Sequence, residues 1–344
     1  MSDKMYRVAL ASRPDGAPVP ANFSYEAADI PTPGEGEVLV RVHYMSLDPY
    51  MRGRMDDAES YAAPVPLGGT MEAGGVGEVI ASNSPDFEPG DFAFGMFGWA
   101  THGVQPAKML RKVDQTQVPI TTSLGVLGMP GFTGWYGFTQ IGKPKAGETL
   151  VVAAATGPVG SMVGQVAKSL GLRAVGIAGG ADKCKLAVEK FGFDACLDHR
   201  AYGSAKDLRA ALKAECPDGI DIYFENVGGM VLEAVLPNMN RFGRIPICGI
   251  IAWYDAGGLG EGAQGLSGPK IWRTILVKHL LVNGFIISNH WNLYNQFLSE
   301  IAPKVASGEV AYVEDVAEGL ENAPAAFMSM LKGGNMGKQI VKVI

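Results

Sequence analysis

The chain has little of what metal and disulfide chemistry require. Its four cysteines among 344 residues, Cys184, Cys196, Cys216 and Cys248, form no C-x-x-C pair and no His-Cys cluster at metal-ligand spacing. No zinc ribbon, bound metal or disulfide framework is expected, and reduced thiols are. Basic charge is also scarce: 29 Lys+Arg against 35 Asp+Glu leave a formal charge of −6. A nucleic-acid binder needs a concentrated basic surface to neutralise phosphates, so that class is set aside. No apolar run approaches the roughly 20 residues that span a bilayer. The opening MSDKMYRVALASRPDGAPVP has no apolar signal core, and a cytoplasmic protein without nucleic-acid or membrane partners is expected.

Glycine, by contrast, is abundant: 46 of 344 residues, about 13% against a usual 7% or so. With no G-X-Y period, this points to tight turns and close backbone approaches. Hydrophobic residues at 47% and charged residues at 19% describe a globular chain, and its length suits two domains.

Three textures follow one another. Residues 1–125 read as short alternating strands broken by Pro and Gly (GEVLVRVHYMSL, GGVGEVIAS, PGDFAFGMFGW), a small β domain. Residues 126–305 alternate apolar strands with helices, the pattern of a doubly wound α/β domain with a parallel sheet covered on both faces. Its strands are expected at Thr149–Ala154, Arg173–Ala178, Ile220–Glu225 and Arg244–Ile250. Residues 306–344 read as a strand, a helix containing Ala317, Leu320 and Phe327, and a closing strand Lys338–Val343. One strand cannot stand alone, so this segment is expected to return to the first domain.

The strongest chemistry lies in TLVVAAATGPVGSMVGQVAKSLG. A buried strand runs into Gly157-Pro158-Val159-Gly160 and then into a helix with Val163, Val166 and Leu170 on one side. Gly171 follows at a left-handed cap. A pyrophosphate site needs a tight turn, close backbone approach and helix N–H groups aimed at the charge. The spacing Ala154-x-x-Gly157-x-x-Gly160 is weak alone, but a second strand, RAVGIAGG, arrives at the right distance. An NAD enzyme usually has an acid about 20 residues after the glycines; here Ala178-Gly179-Gly180 is neutral and Lys183 follows. Lysine attracts a 2′-phosphate, so NADP(H) is favoured, while Asp182 reads as a first-turn helix acid. Lys183 remains open to a second role, that of a solvated helix residue. Asn226 and Tyr254, at the ends of two later strands, are each open to ribose contact or to turn capping.

At this point SLDPYMRGRM (46–55), LGVLGMPGFTGWYG (124–137), AAATGPVGSMVGQVAK (153–168), YFENVGG (223–229) and MLKGGNMGKQIVKV (330–343) can be taken together. The chain resembles the zinc-independent medium-chain dehydrogenase/reductases, in the branch of leukotriene B4 12-hydroxydehydrogenase, prostaglandin reductase and 2-alkenal reductase. The resemblance implies a GroES-like β domain joined to a Rossmann domain, with NADPH between them. It implies cofactor contacts at Gly157, Pro158, Val159, Gly160, Lys183, Asn226, the stretch from Cys248 to Tyr254, Phe285, Ile286, Ile287 and Asn335. Many relatives have tyrosine where His199 stands, as a second 2′-phosphate partner; histidine serves better when protonated. Zinc relatives carry a catalytic cysteine and Gly-His-Glu, where this chain has HYMSLDPY and Gly69-Thr70-Met71, so zinc alcohol chemistry lacks its ligands.

The chemistry so implied is conjugate reduction of α,β-unsaturated ketones and aldehydes, with Tyr254 stabilising the enolate. Tyr50 is a second donor or a packing aromatic. Arg52 and Arg54 are read as structurally paired. Met51, Met129, Trp135, Trp253 and Phe285 supply a flat apolar pocket or belong to the core. Ala256–Gly268 is expected to close over substrate. Quinone reduction and a non-catalytic NADPH-binding role are the alternatives. A homodimer is expected by analogy.

Overall fold

The computed structural model describes residues 4–256 and 267–344. The chain separates into two units: residues up to Gly125 with Glu314–Ile344, and Val126–Val313. Residues 306–313 therefore belong to the second unit, not to the returning segment. The reason is local: Gln165 brackets Ala311, accepting its N–H at 2.7 Å and donating to its carbonyl at 2.9 Å.

The second unit is built on six strands: β1 Thr149–Ala153, β2 Arg173–Ala178, β3 Ala195–Asp198, β4 Ile220–Phe224, β5 Met239–Ile247 and β6 Leu281–Gly284. Their spatial order is β3-β2-β1-β4-β5-β6, and every neighbouring pair is parallel. This is the doubly wound order, whose reversal between β1 and β4 opens a crevice at the carboxyl ends. All five residues of β1 are buried, as helices on both faces demand. Val163 lies in the core, but Leu170 is 44% exposed. It follows the last helical residue of Pro158–Ser169, and Gly171 at φ +78° turns the chain away. β5 starts earlier and stops earlier than its apolar run, because Cys248 and Gly249 both direct their N–H groups to the Glu225 carbonyl.

In the first unit, seven strands form a sheet in the order Glu314–Glu318, Lys338–Lys342, Glu37–Ser46, Gly74–Ser82, Phe92–Met96, Arg111–Lys112, with His102–Pro106 also on Glu37–Ser46. The closing strand pairs antiparallel with Glu37–Ser46, Ile340 opposite Ser46. Ala317 lies in a strand and Leu320 in a short 3-10 turn, so only Phe327 of the expected trio is in the helix, Ala323–Leu331. Phe327 packs edge-on against Trp99 and Phe23. None of the described helices is long and apolar enough to cross a membrane.

Candidate active site

The turn after β1 is shaped by backbone strain and two different glycines. Ala154 sits in the left-handed region at φ +52°, a conformation that costs a side chain about 1–2 kcal/mol. Its carbonyl accepts the Gly157 N–H at 3.0 Å. Pro158 then opens the helix, where its missing N–H costs nothing. A Cβ on Gly160 would lie 2.3 Å from the Ala154 oxygen, so helix and turn pack only if that residue is glycine. Gly157 differs: its φ is −68°, and the nearest atom to a Cβ there is 3.4 Å away. Among the described residues, no neighbouring atom requires glycine at this position. The space left open there would suit a group resting on the helix N-terminus.

Beyond β2 lies a basic cluster. A Cβ on Gly179 would come within 3.0 Å of the His199 Nε2 and 2.9 Å of the Arg200 Nε, so both side chains lie over this glycine. The Asp198 carboxylate accepts the Gly180 N–H at 2.8 Å and the Arg200 N–H at 2.9 Å. Burial works against that charge, but these bonds and the neighbouring His199 and Arg200 hold Asp198 below the usual range. Asp182 lies in the first turn of Ala181–Glu189, as its dipole preference requires. Burial lowers the His199 pKa, Arg200 and Lys183 push it the same way, and Asp198 opposes them. The imidazole is thus neutral at pH 7, and the cationic charge around it comes from Arg200 and Lys183. Sequence reasoning misses Arg200; only the β2–β3 register, Ala178 opposite Asp198, brings it to Gly179.

The carboxyl ends of β4 and β5 bring Asn226 and Tyr254 together. Asn226 donates its side-chain N–H to the Ala153 carbonyl at 2.8 Å, tying β4 to the end of β1. Sequence reasoning also misses Glu225, which is 1% exposed: one carboxylate oxygen accepts the Val227 and Gly228 N–H groups at 2.6 and 2.8 Å. Burial raises its pKa despite those bonds. The short turn Ile251–Ala256 folds back so that Ala252 N–H reaches the Val227 carbonyl at 2.9 Å and the Trp253 ring covers Gly228. The Tyr254 hydroxyl lies 3.3 Å from where a Gly249 Cβ would be. Burial, with Glu225 nearby, pushes the Cys248 thiol up to about 12. Phe285, just past β6, donates its N–H to the Ile247 carbonyl at 3.3 Å and packs against Tyr136; Ile286 and Ile287 continue from it. Trp135 is core, its indole N–H held by Glu300 at 2.9 Å. Residues 257–266 of the expected closing loop lie outside the described residues.

In the first unit, Tyr50 lies on the turn Pro49–Met55, with the Arg54 guanidinium 5.7 Å from its ring centre. Burial first, then Asp48 and Glu72, raises its pKa far above the ordinary range, so it is a hydroxyl donor at any working pH. Arg52 is fully buried, bonded to Asp56 and to the Gly16 carbonyl, both at 2.6 Å. Arg54 meets Glu72 at 3.5 Å, so both arginines are structurally paired. Met51 belongs to the core. The Thr70 hydroxyl accepts from Arg7 at 3.2 Å. Asn335 donates to the Gly337 carbonyl of its own loop at 2.7 Å. Among the described residues, no three His, Cys, Asp or Glu side chains gather where a metal ion could be held.

Two family profiles cover most of the chain: residues 6–113 match the N-terminal domain of oxidoreductase and residues 158–302 the zinc-binding dehydrogenase profile. The chain is 50% identical to the NADPH-dependent curcumin reductase of Escherichia coli over 339 residues, 98% of this chain and 96% of that one. The chain belongs to the zinc-independent medium-chain dehydrogenase/reductases. Another of these reductases, the NADP(+)-dependent 2-alkenal reductase of Nicotiana tabacum, is 43% identical over 312 residues, 90% of this chain and 88% of that one. The crystal structure of CurA with NADPH from Vibrio vulnificus superposes with a TM-score of 0.92 at 45% identity, covering 98% of this chain and 99% of that one.

Proposed function

We propose that the protein reduces the carbon–carbon double bond of α,β-unsaturated ketones and aldehydes, with Tyr254 stabilising charge on the carbonyl oxygen. That it is an NADP-dependent oxidoreductase rests on its family and relatives. The observation carrying the finer reading is the Tyr254 hydroxyl, set beside Gly249 and the Asn226 turn at the carboxyl ends of β4 and β5. NADPH, when bound, supplies the hydride that reaches the β-carbon. Gly157, Pro158, Val159 and Gly160 receive its pyrophosphate, and Lys183 with Arg200 and His199 the 2′-phosphate. Asn226, Cys248, Phe285, Ile286, Ile287 and Asn335 are its further contacts. The Tyr254 hydroxyl donates to the substrate oxygen, an interaction worth roughly 3 kcal/mol when the acceptor becomes an oxyanion, and a proton from Tyr254 or water at the α-carbon completes the reduction. Tyr50 offers a second donor.

The test is NADPH oxidation with enones, alkenals, curcumin and a quinone, with product masses read alongside. A gain of two hydrogens at the double bond supports the reading. Turnover confined to quinones replaces it with quinone reduction, and tight NADPH binding without any turnover leaves a cofactor-binding protein.

Cofactor choice makes a sharper prediction. Lys183→Ala should weaken NADPH binding about 10- to 100-fold, the worth of a charge-assisted bond, and leave NADH binding unchanged. His199→Gln should change NADPH binding less than about threefold, because a neutral ring adds no charge. Titration of both variants with both cofactors checks this.

Enones and alkenals alkylate thiolates, yet the four free thiols are held protonated. Burial pushes Cys216 up to about 11 and Cys248 to about 12, and raises Cys184 and, further, Cys196. Native protein kept with excess alkenal at roughly neutral pH should therefore retain all its thiols, while denatured protein loses them. Rapid native alkylation by intact mass would contradict this. Free thiols also suit a cytoplasmic setting.

A homodimer is proposed along the β6 edge, exposed at all four residues, beside a helix that exposes Trp272 and Leu276. Sedimentation should give twice the chain mass, and Leu281→Lys a single chain.

A further inference from the structure

The first unit contains a buried ion pair for which neither hydride transfer nor cofactor binding accounts. Lys338 opens the closing strand and is 3% exposed; Asp48 is 6% exposed. The Lys338 ammonium donates to the Asp48 carboxylate and to the Leu47 carbonyl, both at 2.7 Å. The other Asp48 oxygen takes the Ser46 hydroxyl.

Asp48 stands at the N-cap of the Tyr50 turn, where an aspartate ordinarily accepts an N–H of its own turn. It makes no such bond. Both its oxygens are drawn sideways, one by Ser46 and one by Lys338. The backbone adds to the grip, because the Leu47 N–H reaches the Gln339 carbonyl at 3.1 Å. The C-terminal strand thus holds two successive residues, Leu47 and Asp48, immediately ahead of Pro49-Tyr50.

Stability is a poor explanation for the pair. Desolvation consumes most of the Coulombic gain of a buried ion pair, and apolar residues of similar volume serve stability as well. An apolar pair, however, cannot fix direction. An ammonium bonded to one carbonyl and one carboxylate oxygen defines where the chain leaves the strand.

We propose that Lys338 and Asp48 are positioning residues, which fix the Pro49–Met55 turn so that the Tyr50 hydroxyl is correctly aimed at the substrate carbonyl. This rests on the reading of Tyr50 as a substrate contact. The C-terminal strand then has a role in turnover while touching no substrate itself.

The experiment compares four variants of the full chain: Lys338→Met, the double Lys338→Met/Asp48→Asn, Tyr50→Phe, and the triple combination. Lys338→Met strands a buried carboxylate and should lower Tm by roughly 10 °C. The double variant removes that charge and should recover most of the Tm. Its kcat for enone reduction should nevertheless stay down at least about tenfold, as expected for a misplaced donor, with the NADPH dissociation constant unchanged. In the Tyr50→Phe background the same double change should cost less than about threefold, because both act through one hydroxyl.

If the double variant recovers both Tm and kcat, the pair is only structural and the proposal fails. It fails equally if the double change costs as much in the Tyr50→Phe background as in the parent. A Tyr50→Phe protein with unchanged kcat would overturn the reading of Tyr50 itself, and the proposal with it. Tyr50→Phe slowed beside an unimpaired double variant overturns the proposal alone.

Discussion

Tyr254→Phe should lower kcat for enone reduction by about 10²- to 10³-fold, far more than it weakens NADPH binding. A single oriented donor to a developing oxyanion has this worth because it strengthens as charge gathers on the oxygen. The binding of the neutral carbonyl gains far less from it. The loss should therefore fall on kcat more than on the KM of the enone. Tyr254 lies on a short turn anchored by backbone bonds, Ala252 to Val227 and Trp253 to Ile250, none of which needs the hydroxyl. Phenylalanine keeps the ring and its packing. A kcat within threefold of the parent, with the fold intact by circular dichroism, would remove Tyr254 from the mechanism. Tyr50→Phe should have the smaller effect of a second donor.

The parts of this site that are legible in sequence are those encoded by local order. A strand, a glycine turn and a helix follow one another within a few residues, so β1 and Pro158–Ser169 can be read directly. Lys183 is read from the same local order, one strand and one turn further on. Arg200 is not, because nothing near it in sequence points to Gly179; the β2–β3 pairing brings them together. Glu225 is passed over for its neighbour Asn226, since a buried carboxylate serving two N–H groups looks in sequence like any strand-end acid. The returning segment fails for a different reason. Glu314–Glu318 reads EDVAE, rich in helix formers, yet it lies parallel to Lys338–Lys342, Val316 opposite Ile340. Pairing to a sheet already in place outweighs a weak local preference. Ala154 shows the same limit at one residue: its left-handed backbone is set by the turn it closes, and alanine gives no sign of it.

The two glycines of the phosphate turn should respond oppositely to the same added methyl group. Gly160→Ala puts a Cβ 2.3 Å from the Ala154 oxygen and 2.9 Å from the Ala155 Cα. Both are backbone atoms, so helix and turn must part. Overpacking of this kind costs about 1–3 kcal/mol, and the N–H groups move with the helix, so both Tm and NADPH affinity should fall. Gly157→Ala meets nothing nearer than 3.4 Å, at a φ any residue adopts. Its Tm should stay within about 2 °C of the parent, since surface changes without a clash rarely exceed 0.5 kcal/mol or so. If the turn faces a pyrophosphate, however, the new methyl occupies space the ligand needs, and NADPH binding should weaken about 10- to 100-fold. Thermal unfolding with and without NADPH separates the two. Gly157→Ala should unfold at the parent temperature alone and gain little from added cofactor. An undiminished NADPH-dependent rise in its Tm would mean that no ligand approaches Gly157, and the pyrophosphate would have to be placed elsewhere on the unit.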